Sequence, residues 1–193
     1  MRPDPKLIAF DTSAAHCAAA LLLGNQISTR VDEMAKGQAE HLMPMLEDML
    51  HDAGIGWRDL DGIGVGTGPG NFTGIRIAVS AARGLALGLG KPAIGVNGFA
   101  ARAYGQTRPI TVTIPAPRGQ AYVQTLHADG STTLPEIIRQ AAVPAPVPAA
   151  TLITAVARIA ASRFGQDNPR PAPLYIRSAD AAPPRDPAPI IVP

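Results

Sequence analysis

The chain has 193 residues, of which 46% are apolar and 17% are charged, a composition typical of a globular protein with a substantial core. Its single cysteine, Cys17, excludes an internal disulfide and a cysteine-based zinc site, and we expect it to be a small buried residue of a strand. The formal net charge is only +2, and no basic cluster is visible. We therefore expect a cytoplasmic protein with no signal peptide, no membrane span and no direct contact with nucleic acid.

The first hundred residues predict alternating strands and helices. The chain opens with three short apolar or alternating segments, and Gly24-Asn25 is a good two-residue turn between the second and third, which indicates an antiparallel meander. The strand and helix spacing that follows favours a sheet with parallel pairs. The predicted strands are residues 6–11, 16–23, 26–32, 60–66 and 91–96, and the predicted helices are residues 37–52, 72–89 and 98–104.

The second half is less regular and richer in proline. We predict strands at residues 110–114 and 121–126 and helices at residues 134–141 and 152–163. Residues 143–150, VPAPVPAA, read as an extended linker, and residues 173–180 as a last ordered segment. The predicted domains are an N-terminal lobe at residues 1–100, a smaller second lobe at residues 101–180, and a proline-rich tail at residues 181–193 that we expect to be partly disordered.

The most conspicuous motif is the glycine-rich stretch GVGTGPGNFTG, residues 64–74, which runs from a strand into a helix. It lacks the lysine and the glycine spacing of a P-loop, and it also fails the G-x-G-x-x-G pattern of dinucleotide sites. Two interpretations remain open. The loop could offer backbone N–H groups to an anion, or it could be a structural turn in which Asn71 or Thr73 caps the helix.

The helix after this loop is rich in small residues and carries glycines at positions 84 and 88. Each glycine inside a helix costs about 1 kcal/mol relative to alanine. Both glycines together therefore predict a close neighbour that compensates for this cost. The other early motif is Asp11-Thr12-Ser13, at the end of the first strand, which could hold a metal-bound phosphate or form a side-chain turn. The four histidines have no metal-ligand spacing, so we predict neither a metal site nor a catalytic group.

Three segments, taken in order, resemble the bacterial TsaB (YeaZ) family. They are LIAFDTSAAHCAAALL, QAEHLMPMLEDML and DGIGVGTGPGNFTGIRIAVSAARGLALGLGKPAIGVNGFAA, with a weaker match in PLYIRSADA. The resemblance implies an α/β, actin-like fold of the sugar kinase/Hsp70/actin and RNase H-like type, with two lobes and a reduced second lobe. It also implies a non-catalytic scaffold or activating subunit of the complex that transfers a threonylcarbamoyl group to adenosine next to the anticodon of tRNA.

The resemblance further implies the partners. They are a TsaD-like catalytic paralogue, a TsaE-like small ATPase and, through the same helices, a second copy of the chain, while tRNA is contacted only indirectly. ATP and metal are expected on the partner subunits, so this chain needs no cofactor of its own. The implied partner surface lies on the two predicted helices at residues 38–50 and 72–89. We expect it to include Leu42, Met45, Met49, Arg76, Ile77, Ala81 and Arg83. A vestigial phosphate site is implied at Asp11, Thr12, Ser13, Gly68 and Gly70.

Two other functions stay open at this point. One is an ATP-dependent transferase of the actin-like superfamily that acts on its own through Asp11, Ser13 and the Gly68–Gly70 loop. The other is a glycoprotease-like metallopeptidase. A metallopeptidase centre is difficult to assemble from these residues, because the helix QAEHLMPML carries His41 alone where the catalytic relative has an H-x-x-x-H metal motif.

Overall fold

The computed structural model describes residues 5–139 and 145–176. Its main element is a five-stranded sheet with the strand order β3-β2-β1-β4-β5. The first three strands form the predicted antiparallel meander, with Gly24 in the left-handed region (φ +61°) at the turn, and β4 and β5 run parallel to β1. The strands are β1 (Leu7–Asp11), β2 (His16–Leu23), β3 (Gln26–Glu33), β4 (Gly62–Gly66) and β5 (Ala93–Val96).

Helices cover both faces of this sheet, which is why β1 and β4 are apolar on both sides. Because side chains alternate along a strand, Ile8 and Phe10 point to one face, towards α1 (Gln38–Asp52) and α2 (Phe72–Leu89). Leu7 and Ala9 point to the other face, where they pack with residues of the last helix. The remaining helices are α3 (Gly98–Ala103) and α4 (Ala149–Arg163), and a 3₁₀ turn spans Trp57–Asp59.

A second, three-stranded antiparallel sheet follows, with the strand order β6-β7-β8. One of its faces packs on α3, and Phe99 at the centre of this contact is fully buried. The small sheet and α3 share a third apolar cluster, apart from the two clusters on the faces of the first sheet. The strands are β6 (Ile110–Ala116), β7 (Gln120–Leu126) and β8 (Glu136–Arg139).

Three predictions for the second half need comment. The predicted helix at residues 134–141 is wrong, because Glu136–Arg139 is a strand whose Ile137 and Ile138 pair with β7. The last helix begins at Ala149, inside the predicted linker, and it packs on the first sheet although the sequence placed it in the second lobe. Residues 140–144 and 177–193, and with them the tail and part of the linker, lie outside the described residues.

Candidate functional site

The turn after β1 is built around the carboxylate of Asp11. Its Oδ1 accepts hydrogen bonds from the Ser13 backbone N–H at 2.9 Å and from the Ser13 hydroxyl at 2.7 Å, and His16 Nε2 lies 3.7 Å away. This is the side-chain turn that the sequence left as one of two possibilities. The strand opposite makes room for it, because a Cβ on Gly66 would overlap the carboxylate.

The charge state of Asp11 gives a prediction for the pH dependence of folding. Burial alone would raise the pKa of Asp11, but the nearby His16 and the hydrogen bonds from Ser13 together lower it below its ordinary value of 3.8. A lowered folded-state pKa stabilises the fold above the unfolded-state pKa, and that contribution is lost as the pH falls through the folded-state value. We expect Asp11→Asn to destabilise the protein at pH 7, and this difference from the wild type to shrink in urea unfolding as the pH falls below 3.8 and through the folded-state pKa. A difference that stayed constant across this range would contradict the prediction.

The glycine loop packs directly against the Asp11–Ser13 turn. The Asn71 N–H donates to the Ser13 carbonyl at 2.7 Å, and the Asn71 side chain caps α2 by accepting the Gly74 N–H at 2.8 Å. A Cβ on Gly70 would overlap the carbonyl oxygen of Ser13, and Gly68 has a φ of +86° that favours glycine. The loop and the turn are thus in backbone contact, which favours the structural interpretation of the motif and leaves no space for a phosphate between them.

The five phosphate-site candidates do not all share one surface. Thr12 is fully buried and its hydroxyl donates to the carbonyl of Gly74 at 2.6 Å, so this residue is a structural link and not a ligand. The other four, Asp11, Ser13, Gly68 and Gly70, line a cleft with a volume of about 810 Å³ between the two sheets.

Sequence reasoning missed three ionisable residues of this cleft. His16, Glu33 and Arg102 also line it. Arg102 lies on α3, 91 positions after Asp11, and no motif connects the two. Asp11 and Arg102 line the same cleft because the topology places the start of α3 beside the carboxyl ends of β1 and β4.

The residues predicted for the partner surface differ in exposure between the two helices. Leu42, Met45 and Met49 are 1%, 1% and 7% exposed, because the apolar stripe of α1 faces the sheet. They are core residues in this chain. On α2, Arg76 is exposed, and Ile77, Ala81 and Arg83 are half-buried.

The exposed side of α2 is unusual for a helix surface. Leu87 is 83% exposed, and a Cβ on Gly84 or Gly88 would meet no atom within 4 Å. The close neighbour predicted for these glycines is therefore not within the described part of the chain. By length and composition α2 could even cross a membrane, although its inner side packs on the sheet. We call its outward residues the α2 outer face: Arg76, Ile77, Ser80, Ala81, Gly84, Leu87 and Gly88.

A cluster at the start of this face was not foreseen. The Arg76 guanidinium lies 3.7 Å from the centre of the Phe72 ring, and its Nε donates to the Tyr175 hydroxyl at 2.8 Å. Tyr175 comes from the segment of residues 171–176, which is anchored by a hydrogen bond from the Leu174 N–H to the Thr67 carbonyl. The segment therefore joins the end of β4 to α2.

Metal-ligating side chains do not converge in residues 5–139 and 145–176, where no group of three His, Cys, Asp or Glu could hold an ion. His41 instead pairs with Asp32 on β3 through a contact of 2.7 Å. Cys17 is fully buried in β2, as predicted, and burial raises the pKa of its thiol to about 11.

Comparison with known proteins places these observations in a family. The family model described as TsaD, tRNA N6-adenosine threonylcarbamoyltransferase, matches residues 23–160. A relative from Escherichia coli (strain K12), named tRNA threonylcarbamoyladenosine biosynthesis protein TsaB, is 31% identical over 122 residues, which are 61% of this chain and 53% of the relative. The chain spans about half the length of the curated relatives with this name that it matches.

Two further matches extend over nearly the whole chain. An uncharacterized protein of Mycobacterium tuberculosis (strain CDC 1551 / Oshkosh) is 30% identical over 199 residues, covering 92% of this chain and 94% of the relative. The structure of YeaZ from Pseudomonas aeruginosa superposes with a TM-score of 0.70 at 24% identity, over 89% of this chain and all of the other, and this confirms the actin-like α/β fold. The chain belongs to the TsaB (YeaZ) family, within the wider group that the TsaD model describes.

Proposed function

We propose that this chain is a non-catalytic scaffold subunit of the machinery that makes threonylcarbamoyladenosine in tRNA. Its partners are a TsaD-like catalytic paralogue and a TsaE-like ATPase, which supply the metal and ATP, and it works in the cytoplasm without touching tRNA itself. The names of its relatives and the match to the TsaD model support this proposal. The observation that carries it is the α2 outer face, an apolar helix surface whose end at Gly84, Leu87 and Gly88 is covered by nothing in the described chain.

The polar groups near the cleft support a role without catalysis. Ser13 donates its hydroxyl and its backbone N–H to Asp11, and Thr12 donates to Gly74, so these side chains hold the turn and the helix together. In the glycine loop, the side chain of Asn71 accepts the hydrogen bond from the Gly74 N–H at the start of α2. In helix α1, where the catalytic relative carries two histidines, His41 is bound to Asp32. Each of these polar groups makes a hydrogen bond within the chain that stabilises the fold.

The charges around the α2 outer face indicate what could dock on it. α2 contributes Arg76 and Arg83 and no acidic residue, while the exposed side of the neighbouring α1 is acidic. A partner helix with the opposite arrangement would meet complementary charges, and a second copy turned by a two-fold axis would do so too. The same face can thus serve the catalytic paralogue and, in its absence, a homodimer. The exposed acids of α1 are Glu40, Glu47, Asp48 and Asp52.

Purification of the tagged chain from its own cells tests the proposal. We expect the TsaD-like paralogue to co-purify in stoichiometric amount, and we expect threonylcarbamoyl transfer to tRNA in the reconstituted system to depend on adding this chain. Transfer at full rate without this chain would contradict the scaffold role. Micromolar binding of Mg-ATP by the isolated chain, with turnover, would instead support the independent transferase.

A further inference from the structure

The cleft between the two sheets holds a carboxylate with one oxygen left for a ligand. Asp11 Oδ1 receives both hydrogen bonds from Ser13 and faces His16 at 3.7 Å. Oδ2 receives no hydrogen bond from the residues that the structure describes, and the side chain is 18% exposed to the cleft. The hydrogen bonds to Oδ1 keep the pKa of Asp11 low, so the carboxylate stays ionised at neutral pH. Oδ2 can therefore still accept a hydrogen bond from a ligand in the cleft.

The same cleft holds a guanidinium without an acidic partner. Arg102 lines it and is half-buried, and its Nη1 donates to the carbonyl of Gly98 at 3.2 Å. No carboxylate of residues 5–139 or 145–176 lies within 4 Å of it. Burial lowers the pKa of Arg102, and the charge of Asp11 partly offsets that effect. The charges of Asp11 and Arg102 thus interact through the cleft without forming an ion pair.

Arg102 has lost water without gaining a carboxylate partner, and Asp11, although hydrogen-bonded to Ser13 through Oδ1, keeps Oδ2 open, so neither charge is fully satisfied within the described residues. A ligand with an ammonium at one end and a carboxylate at the other would satisfy both. We propose that this cleft binds a free α-amino acid, with its ammonium on Asp11 and its carboxylate on Arg102. The rest of the lining offers apolar contacts for the amino-acid side chain, from Val96, Leu152, Ile153 and Val156.

A nucleoside triphosphate fits these features less well. The carboxylate of Asp11 repels a phosphate that carries no metal ion. The place between the glycine loop and the Asp11–Ser13 turn is closed by backbone contact, and α2 is already capped by Asn71. An amino acid needs neither of these positions, since its two charged groups contact side chains on the open side of the turn.

Calorimetric titration of the full chain with each of the twenty amino acids tests the proposal, with Mg-ATP and inorganic phosphate as parallel probes. We expect at least one amino acid to bind in the micromolar to millimolar range. Its methyl ester and its N-acetyl derivative, which each lack one of the two charges, should bind at least tenfold more weakly. These arms use the wild-type chain, so they decide the matter even where a variant fails to fold.

Two variants and a matched control complete the test. Arg102→Gln and Asp11→Asn should each weaken binding at least tenfold, whereas Arg108→Gln, an exposed arginine outside the cleft, should bind like the wild type. The proposal is overturned if none of the twenty binds at 10 mM or less (on the order of the weakest affinities that calorimetry measures). Equal binding of the ester, or binding of Mg-ATP or phosphate alone, would overturn it as well.

Discussion

Replacing Gly74 with alanine is expected to destabilise the protein by roughly 2–3 kcal/mol, although alanine is the better helix former. Gly74 lies in the first turn of α2, and a Cβ there would overlap the buried carbonyl of Thr12. That carbonyl belongs to the backbone and cannot rotate away. The helix must move, and the hydrogen bond from the Thr12 hydroxyl to Gly74 is then strained or lost. Such a loss is a large part of the 5–15 kcal/mol that typically stabilises a domain.

Gly84→Ala is the matched control, because it makes the same change in the same helix. A Cβ at position 84 meets nothing within 4 Å in the part of the chain that the structure describes, so helix propensity decides and the variant should be more stable by about 0.5–1 kcal/mol. Urea unfolding followed by circular dichroism measures both. If Gly74→Ala were as stable as the wild type, or if both variants shifted in the same direction, the close contact between α2 and the Asp11–Ser13 turn would be wrong.

The main sheet was predictable because its signals are local. Each of its strands is a short apolar or alternating run bounded by turn residues, and α1 and α2 carry helical periodicity over four turns or more. The predicted helix at residues 134–141 failed for the complementary reason. Its strand has only four residues, and it is defined by pairing with β7, a contact that no local pattern in this segment encodes.

The candidate site was harder to predict than the fold. Periodicity shows that Leu42, Met45 and Met49 share one side of α1, but it does not say whether that side faces a partner or the core of the same chain. Asp11 and Arg102, two of the charged residues of the cleft, are far apart in the sequence and line it together only because the start of α3 lies beside the carboxyl ends of β1 and β4. Residues that are brought together only by the topology of the fold have no characteristic spacing in the sequence, so no motif reveals them.

Gly84 and Gly88 allow the proposed docking to be tested separately from folding. Substituting both with leucine should weaken association with the TsaD-like paralogue at least a hundredfold, about 2.7 kcal/mol, while leaving the monomer at least as stable as the wild type. The reason is geometric. Two helices approach closely only over small residues, and two leucine side chains would hold the partner away from the α2 outer face. Among residues 5–139 and 145–176, no atom lies within 4 Å of a Cβ placed at either position, so we expect the fold to tolerate the change.

A control with two leucines elsewhere separates docking from added surface apolarity. Thr151→Leu and Ser162→Leu place them at exposed positions of α4, on the opposite side of the sheet, where association should be unchanged. Affinities from calorimetry and melting temperatures from circular dichroism give both readings on the same samples. Undiminished binding by the Gly84→Leu, Gly88→Leu variant would move the docking site away from α2. Loss of binding in the α4 control would mean that added apolar surface anywhere on the chain weakens association, and that close helix approach at α2 is not the cause.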